Sequence, residues 1–283
     1  MAIKKIGVCG AGTMGAGIAQ VFAQHGFETI LFDVNQEQLE KAQAGILSSW
    51  KRLVEKGKLT EEAKSAAGKK LTIAADLSDA KADLIIEAVV EGLDVKSDLF
   101  SKLSAQNSNE TILVSNTSSL SITQIAAGIS NPERFAGMHF FNPAPVMKLV
   151  EIIGGSHTAN STIETLKELV KSIGKNPVVC KDSPGFIVNR VARHFYVESL
   201  KIAEEQVASF ENADALLESA GFKMGAFKLM DVIGNDINFA VTNSLFQAFH
   251  GDAKFRPSRI QEQKVKANQL GVKTGEGFYR YSK

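Results

Sequence analysis

Residues 6–15 read Ile-Gly-Val-Cys-Gly-Ala-Gly-Thr-Met-Gly and place Gly10, Gly12 and Gly15 in the spacing G-x-G-x-x-G. The apolar residues before the glycines are typical of a buried strand, and those from Met14 to Phe22 recur at helical spacing. In such a turn the first glycine permits the tight bend, the second lets a pyrophosphate approach the backbone, and the third lets the helix pack on the strand. The segment therefore predicts a dinucleotide-binding loop.

A second apolar run, Thr29 to Asp33, ends in a carboxylate about 20 residues past the glycines, where such folds bind the adenosine ribose. The alternative use of Asp33 is to cap the next helix. No arginine occurs among residues 34–36, and a carboxylate repels a 2′-phosphate. We therefore predict that the cofactor is NAD and not NADP.

Further apolar runs predict the remaining strands, with helical patterns between several of them. They are Leu71–Ala74, Asp83–Val90, Thr111–Ser115, Phe135–Phe140, Leu149–Ile153 and Pro177–Cys180. This alternation predicts an α/β fold with a Rossmann-type doubly wound, mostly parallel sheet. The ends of three strands, at residues 87–91, 115–118 and 139–142, should then share the sheet edge that binds ligands.

The pattern changes after residue 180, where Lys181 to Gly185 form a turn cluster and the chain from Phe186 shows helical spacing. We predict an NAD-binding domain over residues 1–183 and a smaller all-helical domain over residues 184–283. The second domain is rich in apolar positions, which fit either a homodimer interface or the core of that domain.

Composition is typical of a soluble enzyme, with 283 residues, 44% hydrophobic residues and a net charge of +1. This balance gives no electrostatic reason to expect nucleic acid or membrane as a partner. The first strand begins at once, which leaves no room for a signal peptide. Cys9 and Cys180 fall in separate predicted strands, so we expect reduced, buried thiols in a cytoplasmic protein. No ligand set for a metal is predicted.

The stretch Gly137 to Glu151 contains His139 between apolar residues and a carboxylate at the end of another apolar run. If the two side chains meet in a low-dielectric site, the carboxylate sets the tautomer of the imidazole and raises its basicity. That is the chemistry of a general base. A core histidine with both nitrogens satisfied is the alternative.

Six segments together resemble the 3-hydroxyacyl-CoA dehydrogenase family, in particular the bacterial 3-hydroxybutyryl-CoA dehydrogenases. They are residues 10–15, 87–91, 115–120, 137–143, 184–190 and 273–279. The most specific are His-Phe-Phe-Asn-Pro, from His139, and Pro-Gly-Phe-Ile-Val-Asn-Arg, from Pro184. The resemblance implies reversible oxidation of an (S)-3-hydroxyacyl-CoA to the 3-ketoacyl-CoA with NAD, in fatty-acid or butanoate metabolism.

The same resemblance implies that His139 takes the hydroxyl proton, with Glu151 orienting it, and that Ser118 and Asn189 hydrogen-bond the substrate. The cofactor site would include Thr13 and Met14 of the glycine loop, together with contacts that the family places at Glu91, Lys96, Asn116, Ser118, Asn142 and Lys273. From the residues alone, Ser118 could instead cap a helix, Asn189 could lie on a solvated face, and Glu91, Lys96 and Lys273 could be surface charges.

Residues 48–58 form a basic helical segment in which Arg52 and Lys56 share a face at i, i+4. These cations could bind the phosphates of coenzyme A by charge-assisted hydrogen bonds. The family pattern points to Ser49 and Lys56 in the same role. A solvated basic helix face is the alternative.

Some positions in the second half depart from the family pattern, namely His194, Ala226, Lys228 and Asn235. We expect these departures to affect acyl-chain preference, coenzyme packing and dimer geometry, and to leave the reacting centre unchanged. Two other functions stay open from sequence: a related NAD-dependent dehydrogenase of a free hydroxy acid or sugar acid, and a non-enzymatic NAD-binding or structural protein.

Overall fold

The computed structural model of the chain describes residues 3–282. The chain divides between residues 183 and 184 into two compact units, a larger α/β unit and a smaller helical unit. The predicted fold class is confirmed.

The first unit contains eight strands in one sheet. They are β1 Lys5–Cys9, β2 Glu28–Phe32, β3 Leu71–Ala74, β4 Leu84–Glu87, β5 Ile112–Ser115, β6 Phe135–Phe140, β7 Leu149–Gly154 and β8 Asn176–Lys181. Their order across the sheet is β3-β2-β1-β4-β5-β6-β7-β8. All neighbours are parallel except β6 and β7, which pair antiparallel. The carboxyl ends of β1, β2, β4, β5 and β6 consequently lie along one edge.

Six helices accompany the sheet: α1 Thr13–Gln24, α2 Gln36–Glu55, α3 Glu61–Lys70, α4 Leu93–Gln106, α5 Ile122–Ile125 and α6 Asn160–Ser172. The side chains of Ile18, Phe22 and Trp50 are fully buried and pack with the sheet in one hydrophobic core. Burial of each such side chain stabilises the fold by roughly 1.5–3 kcal/mol. The amphipathic spacing predicted for α1 is therefore the spacing of its core face.

The strand predicted over Asp83–Val90 is shorter in the structure, ending at Glu87. The reason lies in the side chain of Glu87, whose Oε1 accepts a hydrogen bond from the backbone N–H of Val89 at 2.7 Å. This bond turns the chain out of the sheet. The apolar pattern of Val89 and Val90 could not reveal it.

The second unit contains five helices: α7 Val188–Glu204, α8 Phe210–Ser219, α9 Ala226–Ile233, α10 Asn235–Ala248 and α11 Arg259–Lys266. The helix predicted from Phe186 begins two residues later, because Phe186 has a left-handed backbone with φ of 49°. Among its described residues, this unit has isolated β-bridges but no strand.

Two buried carboxylates, Asp214 and Asp231, bind the C-terminal segment of the second unit. Asp231 accepts hydrogen bonds from the backbone N–H groups of Phe278 and Tyr279, both at 2.9 Å, and from the hydroxyl of Tyr281 at 3.0 Å. Asp214 Oδ2 accepts a hydrogen bond from the hydroxyl of Tyr279 at 2.9 Å. Hydrogen bonds to charged acceptors are about twice as strong as neutral ones, so these bonds hold the C-terminal segment on the helices.

The expectation of two buried thiols is right for Cys9 and wrong for Cys180, which is only half-buried. Cys180 lies on β8, and β8 is an edge strand with a neighbour on one side only. Partial burial still raises the pKa of the Cys180 thiol to about 12, and nearby Glu151 and Asp182 add to that effect.

Over residues 3–282, the helices are too short or too polar to cross a lipid bilayer.

We expect Gly15→Ala to lower the free energy of unfolding by about 1–3 kcal/mol, because overpacking against backbone is costly. A Cβ at residue 15 would lie 1.7 Å from the carbonyl oxygen of Gly10. The matched control is Gly68→Ala in α3, where a Cβ meets nothing within 4 Å. It should raise the free energy of unfolding by about 0.5–1 kcal/mol. Urea denaturation measures both, and equal shifts in the two variants would contradict the interpretation.

Candidate active site

The glycine loop between β1 and α1 has the geometry that a pyrophosphate requires. Gly10 has φ of +106°, and a Cβ there would lie 2.5 Å from the carbonyl oxygen of Ala88. A Cβ on Gly12, by contrast, would meet nothing within 4 Å, so this backbone is open to a ligand. No side chain caps α1, which leaves the N–H groups of its first turn, from Thr13 to Gly15, to bind an anion. The residues therefore fit a dinucleotide.

Asp33 follows β2 and binds the same loop. Its Oδ2 accepts a hydrogen bond from the N–H of Ala11 at 2.7 Å, and its Oδ1 accepts one from the N–H of Asn35 at 3.0 Å. The cap of α2 is Asn35, whose side chain accepts from the N–H of Gln38. The structure thus assigns helix capping to Asn35 and places the carboxylate of Asp33 beside the glycine loop.

His139 and Glu151 face each other across β6 and β7. They are register partners in the antiparallel pair, with His139 Nδ1 2.7 Å from Glu151 Oε2. His139 is 6% exposed and Glu151 is 1% exposed. Since a carboxylate accepts hydrogen bonds, Nδ1 is the ring nitrogen that carries the proton in this pair. The geometry is that of a buried histidine hydrogen-bonded to a buried carboxylate.

Ser118 lies in the turn after β5, and Glu91 binds this turn. One oxygen of Glu91, Oε1, is 2.5 Å from Thr117 Oγ1 and 3.1 Å from the backbone nitrogen of Ser118. The cap of α5 is Ser121, not Ser118, since Ser121 Oγ accepts from the N–H of Gln124. The helix-cap alternative for Ser118 is therefore wrong.

Asn116 and Asn142 flank the histidine strand. The side-chain oxygen of Asn116 accepts a hydrogen bond from the N–H of Phe140 at 2.9 Å, which ties the end of β5 to the end of β6. Asn142 lies two residues after the end of that strand. Residues from three predicted strand ends are thus brought to the same edge of the sheet.

Sequence reasoning missed a buried ion pair beneath this edge. Lys96 Nζ lies 2.6 Å from Glu87 Oε1 and 3.1 Å from Glu91 Oε2, and Lys96 is only 1% exposed. The surface-charge alternative for Lys96 is wrong. The sequence signal that could have revealed this ion pair is Glu87, a carboxylate in a strand whose other three residues are apolar.

A groove of about 350 Å³ in the first unit brings predicted cofactor and substrate residues together. Gly12, Thr13, Ser49 and Asn142 line it. Ser49 Oγ accepts a hydrogen bond from the side-chain nitrogen of Gln20 at 3.0 Å. Arg52 and Lys56 lie outside this lining, exposed at the end of α2, where the solvated-face alternative stays open.

The other predicted site residues belong to the second unit. Asn189 lies in the first turn of α7. Lys273 Nζ lies 2.6 Å from Asp236 Oδ1 and 2.7 Å from its Oδ2. Their roles toward substrate and cofactor stay predictions.

The four departures from the family pattern have structural contacts of their own in the second unit. The side chain of Lys228 pairs with Glu218 at 2.9 Å, and Asn235 is fully buried with its amide donating to Asp231 at 2.8 Å. His194 stacks on a phenylalanine ring, with centroids 5.1 Å apart. Ala226 begins α9 and is fully buried. These residues support packing in this unit.

No cluster of three or more histidine, cysteine or acidic side chains within residues 3–282 is arranged to hold a metal ion.

Two family models cover nearly the whole chain. Residues 5–183 match "3-hydroxyacyl-CoA dehydrogenase, NAD binding domain" and residues 185–281 match "3-hydroxyacyl-CoA dehydrogenase, C-terminal domain". The NAD cofactor predicted from the glycine loop is thereby confirmed.

Individual relatives agree with these matches. The chain is 50% identical to the 3-hydroxyadipyl-CoA dehydrogenase of Escherichia coli (strain K12), over 98% of this chain but only 59% of that protein. It is 42% identical to the 3-hydroxybutyryl-CoA dehydrogenase of Clostridioides difficile, over 99% of this chain and all of that protein. The crystal structure of an (S)-3-hydroxybutyryl-CoA dehydrogenase from Ralstonia eutropha superimposes with a TM-score of 0.96, at 40% identity and full coverage of both chains.

We expect Asp33→Asn to weaken NADH binding at least about tenfold, because hydrogen bonds to a charged group contribute about 1.5–3 kcal/mol. The same change should reduce the preference for NADH over NADPH, since a carboxylate repels the 2′-phosphate. Titration of the fluorescence of each reduced cofactor measures both effects.

Asp83→Asn is the matched control, because the carboxylate of Asp83 accepts from the backbone of Lys4 and Lys5 at the other end of the sheet. It should leave NADH binding unchanged. Equal weakening by the two variants would show that Asp33 has no specific role.

Proposed function

The chain belongs to the 3-hydroxyacyl-CoA dehydrogenase family, and from this membership we propose that it interconverts an (S)-3-hydroxyacyl-CoA and the 3-ketoacyl-CoA with NAD(H). The observation that carries the proposal is the buried pair of His139 on β6 and Glu151 on β7, whose side chains are 2.7 Å apart. A fold alone does not define an activity, but this pair supplies the proton chemistry that the oxidation requires.

His139 Nε2 takes the proton of the C3 hydroxyl in the oxidative direction and returns it to the alkoxide oxygen in the reductive direction. NAD, when bound, supplies the hydride chemistry at C3. Glu151 holds the imidazole ring and stabilises the imidazolium that forms, because a buried opposite charge interacts strongly at low dielectric. The hydroxyl group becomes a carbonyl, and the proton on His139 passes to solvent.

Ser118 and Asn189 are proposed to hydrogen-bond the substrate oxygens near C3. Placement of the reacting atoms in one geometry lowers the entropy cost of the reaction. Glu91, Asn116 and Asn142 are proposed to contact the cofactor directly. Lys96 acts there through the carboxylates that surround it, because its side chain is almost completely buried.

The acyl group is proposed to be short, as in 3-hydroxybutyryl-CoA. Two relatives at 42% identity, matched over their whole length, are named for 3-hydroxybutyryl-CoA, and one at 50% identity, matched over 59% of its length, is named for 3-hydroxyadipyl-CoA. A rate series with acetoacetyl-CoA and longer 3-ketoacyl-CoA esters defines the chain length.

The second unit is proposed to form a homodimer interface. Support comes from large apolar side chains that this unit exposes, including Leu216 at 72%, Val232 at 56% and Ile237 at 52%. Exposed apolar side chains of this size can be buried against a second copy of the unit. We also propose a cytoplasmic location, which the free thiols of Cys9 and Cys180 favour because oxidising compartments favour disulfides.

His139→Gln should lower kcat for acetoacetyl-CoA reduction by NADH on the order of 10²–10⁴-fold, the usual contribution of a positioned general acid or base. Glu151→Gln should also lower kcat, since the neutral amide does not stabilise an imidazolium. His157→Gln, a change at an exposed histidine of the same unit, is the control and should retain the wild-type rate. A wild-type rate for His139→Gln would refute the mechanism, and equal turnover of free acetoacetate by the unaltered protein would refute the coenzyme A substrate.

Lys56→Glu should raise KM for acetoacetyl-CoA but not for NADH, because the new charge repels the phosphates of coenzyme A. The control is Lys69→Glu, an exposed lysine at the end of α3. Steady-state kinetics with each substrate varied in turn gives both constants. An unchanged KM for acetoacetyl-CoA removes Lys56 from the proposed site.

A further inference from the structure

Glu87, a carboxylate that the proposed mechanism does not use, is completely buried at the carboxyl end of β4. Both of its oxygens are occupied. Oε1 accepts from the N–H of Val89 at 2.7 Å and from Lys96 Nζ at 2.6 Å, and Oε2 accepts from Ser115 Oγ at 2.6 Å. Burial of a charge is costly unless it is paired and hydrogen-bonded, and here every partner is in place.

One path of contacts leads from Glu87 through Lys96 to the turn after β5. Lys96 Nζ lies 3.1 Å from Glu91 Oε2. The other oxygen of Glu91 accepts from Thr117 Oγ1 at 2.5 Å and from the N–H of Ser118 at 3.1 Å. Glu87 is thus connected to Ser118 through one ammonium and one carboxylate.

A second path reaches the same turn through Ser115. Its hydroxyl donates to Glu87 and accepts from the N–H of Thr117 at 3.2 Å. The two paths leave Glu87 from different oxygens and converge on adjacent residues. The completely buried carboxylate therefore restrains the turn from two sides.

The charges of this network also favour a well-defined geometry. Burial acts to raise the pKa of Glu91, but Lys96, Thr117 and the N–H of Ser118 outweigh it, so the pKa is lower than usual. Glu91 is consequently an anion at neutral pH, and Lys96 separates two carboxylates. Apolar replacement of buried ion pairs is often neutral or stabilising, so stability alone does not explain why such a pair is present.

We propose that Glu87 is a positioning residue for the dehydrogenation: through Lys96 with Glu91, and through Ser115, it fixes the turn of Thr117 and Ser118 so that Ser118 meets the substrate. The inference rests on the proposed function, because it takes the role of Ser118 from there.

The test is a double-mutant cycle of Glu87→Gln and Ser118→Ala, with kcat for acetoacetyl-CoA reduction at saturating NADH. When one residue acts through another, the effects of mutating the two are not additive. Glu87→Gln should lower kcat about tenfold in the wild-type background, equivalent to about 1.4 kcal/mol, and less than about twofold in the Ser118→Ala background. A purely structural role would give the same factor in both backgrounds, and this result, or an unchanged kcat in the wild-type background, would overturn the proposal.

Glu110→Gln is the matched control, because Glu110 pairs with Arg134 and lies before β5, at the opposite end of that strand from the turn of Ser118. It should leave kcat unchanged in both backgrounds. If Glu87→Gln does not fold, Ser115→Ala takes its place, because it removes only the second path and keeps the ion pair. Ser115→Ala should lower kcat in the wild-type background and have a smaller effect on kcat in the Ser118→Ala background. Equal factors in the two backgrounds would overturn the proposal.

The two proposals fail in different ways. If the unaltered protein does not reduce acetoacetyl-CoA, the proposed function is wrong. If the unaltered protein is active and the cycle is additive, only the role of Glu87 is wrong.

Discussion

The antiparallel pairing of β6 with β7 is the constraint on which the site depends. In an otherwise parallel sheet, this reversal makes His139 and Glu151 direct cross-strand neighbours. Side chains in that position have Cβ atoms about 4.5–5.5 Å apart, which suits a direct hydrogen bond. The strands bury both groups, so their attraction is little screened by water. The contact that fixes the tautomer of His139 follows from the direction of one strand.

The remaining parts of the site are fixed by charge as much as by packing. Asp33 binds the N–H of Ala11 beside the glycine loop, and Glu91 binds the turn of Ser118. Beneath that turn, Lys96 is held between two carboxylates. Each carboxylate at this edge therefore orders a backbone segment that the proposed chemistry requires. Rigid placement of this kind is the main contribution that a protein makes to a cofactor reaction.

Much of the fold could be predicted because its signals are local. The glycine spacing, the apolar face of α1 and the apolar runs of the sheet are set by neighbours in sequence. The prediction that β4 continues beyond Glu87 was wrong for the opposite reason. A hydrogen bond to the Glu87 side chain turns the backbone there, although the apolar pattern of the sequence continues. The burial of Lys96 was also hidden, since a lysine in a helix is usually exposed. Cys180 was assigned to the interior because an edge strand cannot be recognised from its own residues.

The sequence by itself determined the residue types of the site, the NAD-binding loop and the family, because these depend on short spacings such as Gly10 to Gly15 and His139 to Asn142. Only the tertiary structure decided which charges meet. Glu87 meets Lys96 because the turn after β4 brings the start of α4 back to the strand end, and His139 meets Glu151 because β7 runs antiparallel to β6, so the contacts depend on how whole elements pack. Those are set by the packing of the whole sheet, and no local pattern encodes them.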